Sequence, residues 1–218
     1  MKECCFCHDL EGHAENIRQL LPELGAKLIV AETPHLLAFG EAYPVVDEPH
    51  YLITPREHYQ AFSHLPEGFD QEMDGLVRHL ADRDFIMFEH GELADKVKVR
   101  SVLHAHTHLI PTNRNMLAQV VEKTRQAGVI PQYVHFDGLS TIKQLNRVVD
   151  ENGYFMFRQG EHGFFVPEAG HELPSQFFRR VIDELTEPEQ PFLDWKELDD
   201  ESKIIFQRRL TNLKEIKR

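Results

Sequence analysis

The sequence predicts an α+β fold in which helices flank an antiparallel sheet. Short apolar runs rich in β-branched residues, separated by prolines, are typical of strands. Longer stretches carry apolar residues at helical spacing, and two of them stop at a glycine. Because these segments follow one another mostly as neighbouring pairs, an antiparallel sheet is favoured over a parallel one.

Eight elements are predicted before a soft boundary near residue 135. They are a helix over 10–24, strands over 27–32, 36–41 and 50–54, a helix over 69–82, strands over 84–89 and 101–111, and a helix over 114–127.

The character of the chain changes after that boundary. The predicted elements there are a short helix over 139–149, a hairpin turning around Gly160, a helix over 173–185, and a polar helix from about 195 to the end. We therefore predict a first domain over 1–135 and a C-terminal α/β extension over 136–218.

Composition narrows the functional classes. The chain has 218 residues, of which 41% are hydrophobic and 28% charged, as in ordinary soluble globular proteins. No apolar run approaches the roughly 20 residues that cross a bilayer, and no secretory signal is recognisable, so we expect no membrane partner and a cytoplasmic location. The net charge of −12 argues against a nucleic-acid surface but not against a small anionic ligand.

The segment 104–111 (HAHTHLIP) carries the strongest chemical signal. If it is a strand, its side chains alternate with a period of two, so His104, His106 and His108 lie on one face. Adjacent histidines would then be about 6.6 Å apart and the outer pair about 13 Å. One metal ion with ligands at about 2 Å does not easily collect all three, so at least one histidine needs another role.

Nucleophilic catalysis is such a role. A neutral imidazole, whose reference pKa is about 6.5, is an unprotonated nucleophile over much of the physiological range. Attack on phosphorus divides one difficult displacement into two easier ones. The alternative is a polar strand face of solvated or mutually bonded histidines, but three in alternation, framed by apolar residues, favour catalysis.

The segment resembles the His-φ-His-φ-His-φ-φ signature (φ is apolar) of the histidine triad family of nucleotidyl hydrolases and transferases. The stretch 49–58 (PHYLITPREH) is similar to the family's Gly-His-x-Leu-x-x-Pro-Lys-x-His segment, and 88–91 and 101–102 fall at the expected places. This resemblance spans residues 4–111. The segments 173–185 and 194–197 also resemble the C-terminal region of longer bacterial members.

The resemblance implies a HIT-like antiparallel sheet and specific residue roles. His106 would attack the α-phosphate of a nucleotide to form a nucleotidyl-histidine. His108 and Ser101 would hold phosphate oxygens, and His50 would line the nucleotide pocket. The substrate would be a small molecule such as a dinucleoside polyphosphate or a nucleoside phosphoramidate, with no organic cofactor. A homodimer is also implied, although the C-terminal extension could cover the pairing edge instead.

Two departures from the family pattern concern the phosphate loop. The family usually has Asn beside the first glycine, where this chain has Glu89 and His90 before Gly91, and Gly-Gln before the serine, where this chain has Val99-Arg100. Arg100 either supplies a charged donor to phosphate or faces solvent at the start of the strand.

The three cysteines, at positions 4, 5 and 7, indicate metal binding rather than a disulfide framework. A CxxC motif supplies half of a tetrahedral zinc site. Some family members and the related galactose-1-phosphate uridylyltransferases pair such a motif with two histidines. That comparison implies a structural zinc on Cys4, Cys7, His58 and His104, with Cys5 as a bystander. The alternative is three reduced cysteines without metal.

Other interpretations stay open at this point. The chain could be a non-catalytic nucleotide-binding or RNA-processing module with the same fold, or a metal-dependent hydrolase with two triad histidines as ligands. The Phe-rich stretch 155–165 is interpreted as a packing face rather than a base-stacking platform. Arg179 and Arg180 are expected on a solvated helix face rather than at a phosphate.

Overall fold

A computed structural model describes Cys4, Cys7 and residues 29–81, 84–91, 104–136, 141–149, 153–167, 173–174, 176–189, 192–194 and 199–215. The predicted helix over 10–24 and two predicted site residues, Arg100 and Ser101, lie outside these residues.

The described strands form one antiparallel sheet, as predicted. They are β1 (Ile29–Glu32), β2 (Leu36–Gly40), β3 (Tyr51–Pro55), β4 (Phe85–Gly91), β5 (Thr107–Pro111), β6 (Gln132–His135), β7 (Tyr154–Gln159) and β8 (His162–Pro167). Their spatial order is β1-β2-β3-β5-β4-β7-β8-β6. β6 is a strand that the sequence pattern did not predict.

Five α-helices lie in the described part of the chain. They are α1 (Asp70–Ala81), α2 (Leu117–Gln126), α3 (Thr141–Val148), α4 (Phe177–Thr186) and α5 (Asp200–Glu215). Each matches a predicted helix, with ends shifted by a few residues. None of these described helices is both long and apolar enough to span a membrane.

The sheet is apolar on both faces, and helices cover each of them. On one face, Ile53, Met87 and Leu109 pack with apolar residues of α1 and α3. On the other, Phe88 and Phe157 pack with apolar residues of α2 and α4. Burial of both faces explains why the strands read as nearly continuous apolar runs.

The predicted hairpin is confirmed. β7 and β8 pair antiparallel, and Gly160 adopts a positive φ of 57° in the turn between them. Phe155, Phe157 and Phe164 are at most 3% exposed, which confirms the interpretation of the Phe-rich stretch as a packing face.

Strands from both sides of residue 135 share the sheet. β7 pairs with β4 along six residues, from Ile86 to Gly91. The C-terminal part of the chain therefore pairs with β4, the strand next to β5, which carries His108. The domain boundary near residue 135 stays a prediction.

Candidate functional site

The triad segment joins the sheet only after its first two histidines. β5 begins one residue after His106, so of the triad only His108 lies within a strand. The Ala105 N–H donates to the Tyr59 carbonyl at 2.6 Å, and the Thr54 hydroxyl donates to the Ala105 carbonyl at 2.8 Å. These bonds tie the segment to β3 and the loop after it.

The prediction of one extended strand over 101–111 is therefore wrong for residues 104–106, while residues 101–103 lie outside the described part of the chain. At residues 104–106, hydrogen bonds to Thr54 of β3 and to Tyr59 in the loop after β3 replace the backbone hydrogen bonds of a strand. As a result His104 contacts the two cysteines, while His106 and His108 lie beside each other. The ring centroids of His106 and His108 are 5.5 Å apart in an edge-to-face arrangement.

His108 lies in the middle of the sheet against an aromatic ring. Its Cα partners on the flanking strands are Leu52 and Phe88. Its ring stacks on that of Phe88 with centroids 4.4 Å apart, and the residue is 8% exposed. Burial, followed by the nearby His50 and Arg179, holds the pKa of His108 well below its usual range, so the ring is neutral near pH 7.

A chain of hydrogen bonds fixes the tautomer of His108. The Val45 N–H donates to His50 Nδ1 at 3.3 Å, so this nitrogen carries the lone pair. His50 is fully buried, and burial holds its pKa well below the usual range, so its one proton lies on Nε2. That Nε2–H donates to His108 Nδ1 at 2.9 Å. By this assignment, His108 carries its own proton on Nε2 and can donate it to a ligand.

A buried ion pair lies beside this chain of hydrogen bonds. Glu41 Oε2 is 3.5 Å from His108 Nδ1 and 3.2 Å from Arg179 Nη1. Arg179 also donates to the Tyr43 carbonyl, and the Tyr43 N–H donates to Glu41 Oε1 at 2.9 Å. Glu41 and Arg179 are 6% and 7% exposed. The expectation that Arg179 lies on a solvated helix face is wrong, because its helix packs against the sheet at this position.

His106 is oriented by its own backbone. Its Nδ1–H donates to the His104 carbonyl at 2.7 Å. Because a carbonyl can only accept, the lone pair of the neutral ring is on Nε2. Burial lowers the pKa of His106, the charges of His90 and Arg179 lower it further, and the His104 carbonyl and Glu41 oppose this. His106 is therefore a neutral, partly buried imidazole beside the Nε2–H donor of His108.

The four predicted metal ligands converge at the other end of the segment. Cys4, Cys7, His58 and His104 place their donor atoms within 4.8 Å of one another. Cys7 Sγ is 3.4 Å from Nδ1 of both histidines, and Cys4 Sγ is 3.5 Å from His104 Nδ1. In a tetrahedral site with bonds of about 2.3 Å to sulfur and 2.0–2.1 Å to nitrogen, these edges are about 3.6 Å. The four residues could therefore hold a metal ion.

The surroundings of His104 suit a metal ligand. Its Nε2–H donates to the Pro55 carbonyl at 2.9 Å, which leaves the lone pair of Nδ1 on the side of the cysteines. Such a bond to the second nitrogen orients metal-binding histidines in general. Burial is the main cause that lowers the pKa of His104 to about 4, so the ring is in the neutral form that a metal requires.

A second group of ligand-type atoms is better explained by hydrogen bonding. Glu41, His50 and His108 also bring their donor atoms within 4.8 Å. However, His50 Nε2 and His108 Nδ1 are 2.9 Å apart, whereas two nitrogens on one tetrahedral ion would stand about 3.3 Å apart. Arg179 moreover already neutralises Glu41. This geometry does not favour a metal ion on Glu41, His50 and His108. Because that group contains one triad histidine, the metal-dependent hydrolase with two triad ligands stays an alternative.

Glu89 and His90 stand where the family usually has an asparagine, and their side chains lie on different sides of β4. The Glu89 side chain points into the core, where it accepts from the Phe62 N–H at 2.9 Å and the Tyr154 hydroxyl at 2.7 Å. His90 stacks on Phe155 with centroids 4.0 Å apart, and its charge contributes to lowering the pKa of His106. His90, and not Glu89, therefore lies on the side of the catalytic candidate.

The buried Glu89 gives a pH-dependent stability. Burial raises the pKa of Glu89 from its ordinary value of 4.5 to about 8. Between these two pH values the folded state binds a proton that the unfolded chain has lost, so the free energy of unfolding falls as pH rises. Glu89→Gln removes the ionisable group and with it this pH dependence of the free energy of unfolding. We expect the stability of the variant relative to wild type to increase from pH 5 to pH 8, as measured by urea denaturation.

The exposed Glu122 offers a matched control, since Glu122→Gln changes the same functional group at the surface. Its stability relative to wild type is expected to vary little over this pH range. A Glu89→Gln difference that is equally constant would mean that Glu89 is already ionised in the folded protein at pH 5.

Sequence reasoning missed two parts of this site. Glu41 belongs to no motif, because it lies in the loop after β2 and its role depends on contacts with distant segments. Arg179 lies on α4 between apolar residues, Phe177 and Phe178 before it and Val181 and Ile182 after it, and these neighbours are the signal that could have placed it on the packed side. The triad histidines and the CxxC cysteines were identified from their spacing, and His50 was identified from the family resemblance.

Comparison with known proteins gives structural neighbours only. No family model and no curated protein sequence matches the chain. A DUF4931 family protein from Bacillus cereus is 12% identical with a TM-score of 0.46, and the match covers 84% of this chain and 99% of that chain. A yeast Ap4A phosphorylase in complex with AMP is 11% identical with a TM-score of 0.45, over 81% of this chain and 77% of that chain.

A third neighbour carries the histidine triad name. A hypothetical histidine triad nucleotide-binding protein from Sulfolobus tokodaii is 14% identical with a TM-score of 0.32, over 93% of each chain. The structural neighbours thus include proteins with histidine triad names. These likenesses concern the fold, and they say nothing of the substrate of this chain.

Proposed function

We propose that this protein is a nucleotidyl hydrolase or transferase in which His106 attacks the α-phosphate of a small nucleotide substrate. The observation that carries the proposal is the pair of complementary tautomers. His106 presents a lone pair on Nε2, and the neighbouring His108 presents an N–H on its own Nε2. A nucleophile beside a hydrogen-bond donor is what in-line attack on a phosphate needs.

In the first step a bond forms between His106 Nε2 and the α-phosphorus, and the bond from phosphorus to the leaving group breaks. The leaving group departs with the electron pair and takes up a proton. In the second step water, or another acceptor with an O–H, attacks the phosphorus and displaces His106. The products are a nucleoside monophosphate, or its ester with the acceptor, and the regenerated imidazole.

The other residues would assist these steps. The Nε2–H of His108 would donate to a non-bridging phosphate oxygen, where negative charge grows in the transition state. His50 is completely buried, so we assign it to orienting His108 rather than to contact with the nucleotide. Ser101 keeps the phosphate-binding role that the family resemblance implies. Arg100 keeps its two alternatives, a charged donor to phosphate or a solvent-facing residue.

We further propose that the Cys4, Cys7, His58 and His104 cluster holds a structural zinc ion. With four protein ligands such an ion has no open position for substrate. Its contribution would be to fix the N-terminal segment and the loop after β3 against the triad segment. The homodimer and the cytoplasmic location stay predictions.

A substrate panel tests the proposed function. Purified protein is incubated with dinucleoside polyphosphates and nucleoside phosphoramidates, and products are separated by chromatography. We expect release of the nucleoside monophosphate from at least one class. Nucleotide binding without turnover, unchanged by His106→Asn, would instead favour a non-catalytic nucleotide-binding module.

A further inference from the structure

The buried pair of Arg179 and Glu41 is not required by the triad motif, yet it touches the triad. Glu41 Oε2 lies between the guanidinium, at 3.2 Å, and His108 Nδ1, at 3.5 Å. The residue before Arg179, Phe178, packs edge-to-face on Phe88, the ring on which His108 stacks. The C-terminal part of the chain thus reaches the triad through α4.

Glu41 and His50 favour opposite tautomers of His108. A carboxylate is only an acceptor, so an unneutralised Glu41 at this distance favours a proton on His108 Nδ1. His50 Nε2–H requires the opposite, a lone pair on that same nitrogen. If the proton is on Nε2, His108 is a donor toward the substrate at that nitrogen. If the proton is on Nδ1, Nε2 is an acceptor.

Arg179 is placed to decide this competition. Its fixed fork engages Glu41 with one nitrogen and the Tyr43 carbonyl with the other. Pairing with the guanidinium reduces the pull of the carboxylate on a proton at His108. Arg179 Nε is buried and, among the described residues, has no hydrogen-bond partner. Since a buried N–H without a partner costs stability, this placement is not explained by stability alone.

A second arginine supports the same loop. Arg209 of α5 is 1% exposed and donates to the Pro44 carbonyl at 3.0 Å and to Asp47 at 3.3 Å. These contacts hold the residues on either side of Val45, whose N–H begins the chain of hydrogen bonds through His50. Both C-terminal helices therefore contribute a buried arginine to the loop between β2 and β3.

We propose that Arg179 is a positioning residue, which neutralises Glu41 and thereby keeps the His108 proton on Nε2, directed at the substrate phosphate. The consequence for turnover rests on the proposed function, whereas the consequence for the tautomer does not. The C-terminal part of the chain is then a component of the active site.

The test reads the tautomer directly. 15N-labelled protein without nucleotide is examined by NMR for which ring nitrogen of His108 carries hydrogen. Wild type is expected to show Nε2–H, and Arg179→Met is expected to place a large share of the proton on Nδ1. Arg180→Met is the matched control, because the neighbouring Arg180 pairs with Asp194 at 3.0 Å at the surface and its loss should leave His108 unchanged.

Removing the Glu41 carboxylate shows whether Arg179 positions the His108 proton or only supports the fold. The double variant Glu41→Gln with Arg179→Met should restore the Nε2–H tautomer, since the pull on the proton is gone. If Arg179→Met alone does not fold, Arg179→Lys serves, because it keeps the charge but cannot engage both partners. We expect Lys to give a mixed tautomer population.

Kinetics supply the second readout. Arg179→Met should lower kcat by about 10²-fold, as misplacement of a catalytic group does, with KM changed much less. An unchanged His108 tautomer in Arg179→Met would overturn the proposal, as would a changed tautomer that Glu41→Gln does not restore. If wild type turns over no nucleotide, the proposed function fails, and the tautomer measurements still decide the role of Arg179.

Discussion

His106→Ala is expected to lower kcat by several orders of magnitude, because it removes the attacking imidazole itself. The variant should keep its melting temperature within a few degrees, since His106 is only partly buried and its Nδ1–H donates to the backbone of its own segment. The measurement is kcat on the best substrate of the panel, together with a thermal melt.

The other triad histidines should behave differently from His106. His108→Ala removes one donor to charge that develops in the transition state, a loss of roughly 10²–10³-fold. His104→Ala should act mainly through stability, because its side chain contacts the cysteines and the Pro55 carbonyl rather than the reacting atoms. Equal losses for two triad histidines, together with wild-type activity that a chelator removes and added metal restores, would instead support a metal-dependent hydrolase.

Loss of the metal cluster is expected to have the largest effect on stability. We expect close to one zinc per chain in protein purified without chelator, and a lower melting temperature after Cys4→Ser. Metal binding free energy is folding free energy. A loss of about 4 kcal/mol, a fraction of the zinc contribution in small metal-folded domains, would lower the melting temperature by roughly 8–16 °C for a chain of this size.

Cys5→Ser is the matched control for this prediction. It changes the same functional group one residue away, at a position that the ligand pattern leaves out, and should keep both the zinc and the melting temperature. Metal analysis that finds no zinc in protein purified without chelator would contradict the whole ligand set. Equal destabilisation by both serine variants would show that packing, and not a metal, explains the effect.

The sequence predicted which ligand-type residues converge better than it predicted the shape of the segment that carries them. Cys4, Cys7, His58 and His104 were brought together by family resemblance, and their donor atoms do converge. The shape at 104–106 was missed because it depends on side-chain and backbone bonds from Thr54 and Tyr59. Such bonds join distant segments and leave no local pattern.

The electrostatic surroundings of the triad were predictable in part. Alternation of histidines indicated neutral rings that act on phosphate, and the structure adds the bonds that fix their tautomers. The burial of Arg179 was not predicted, because the general rule that a pair of arginines on a helix is solvated was given more weight than its apolar neighbours. Its burial follows from how α4 packs against the sheet beside Phe88.

One measurement tests the covalent mechanism most directly. Protein is mixed with a substrate labelled in the α-phosphate, quenched during turnover in acid or in base, and denatured, and the label on the chain is then counted and mapped. A phosphorus–nitrogen bond to histidine is labile in acid and survives in base. We predict base-stable, acid-labile label on His106, absent from His106→Ala. Wild-type protein that turns over substrate yet never carries such label would contradict the covalent mechanism.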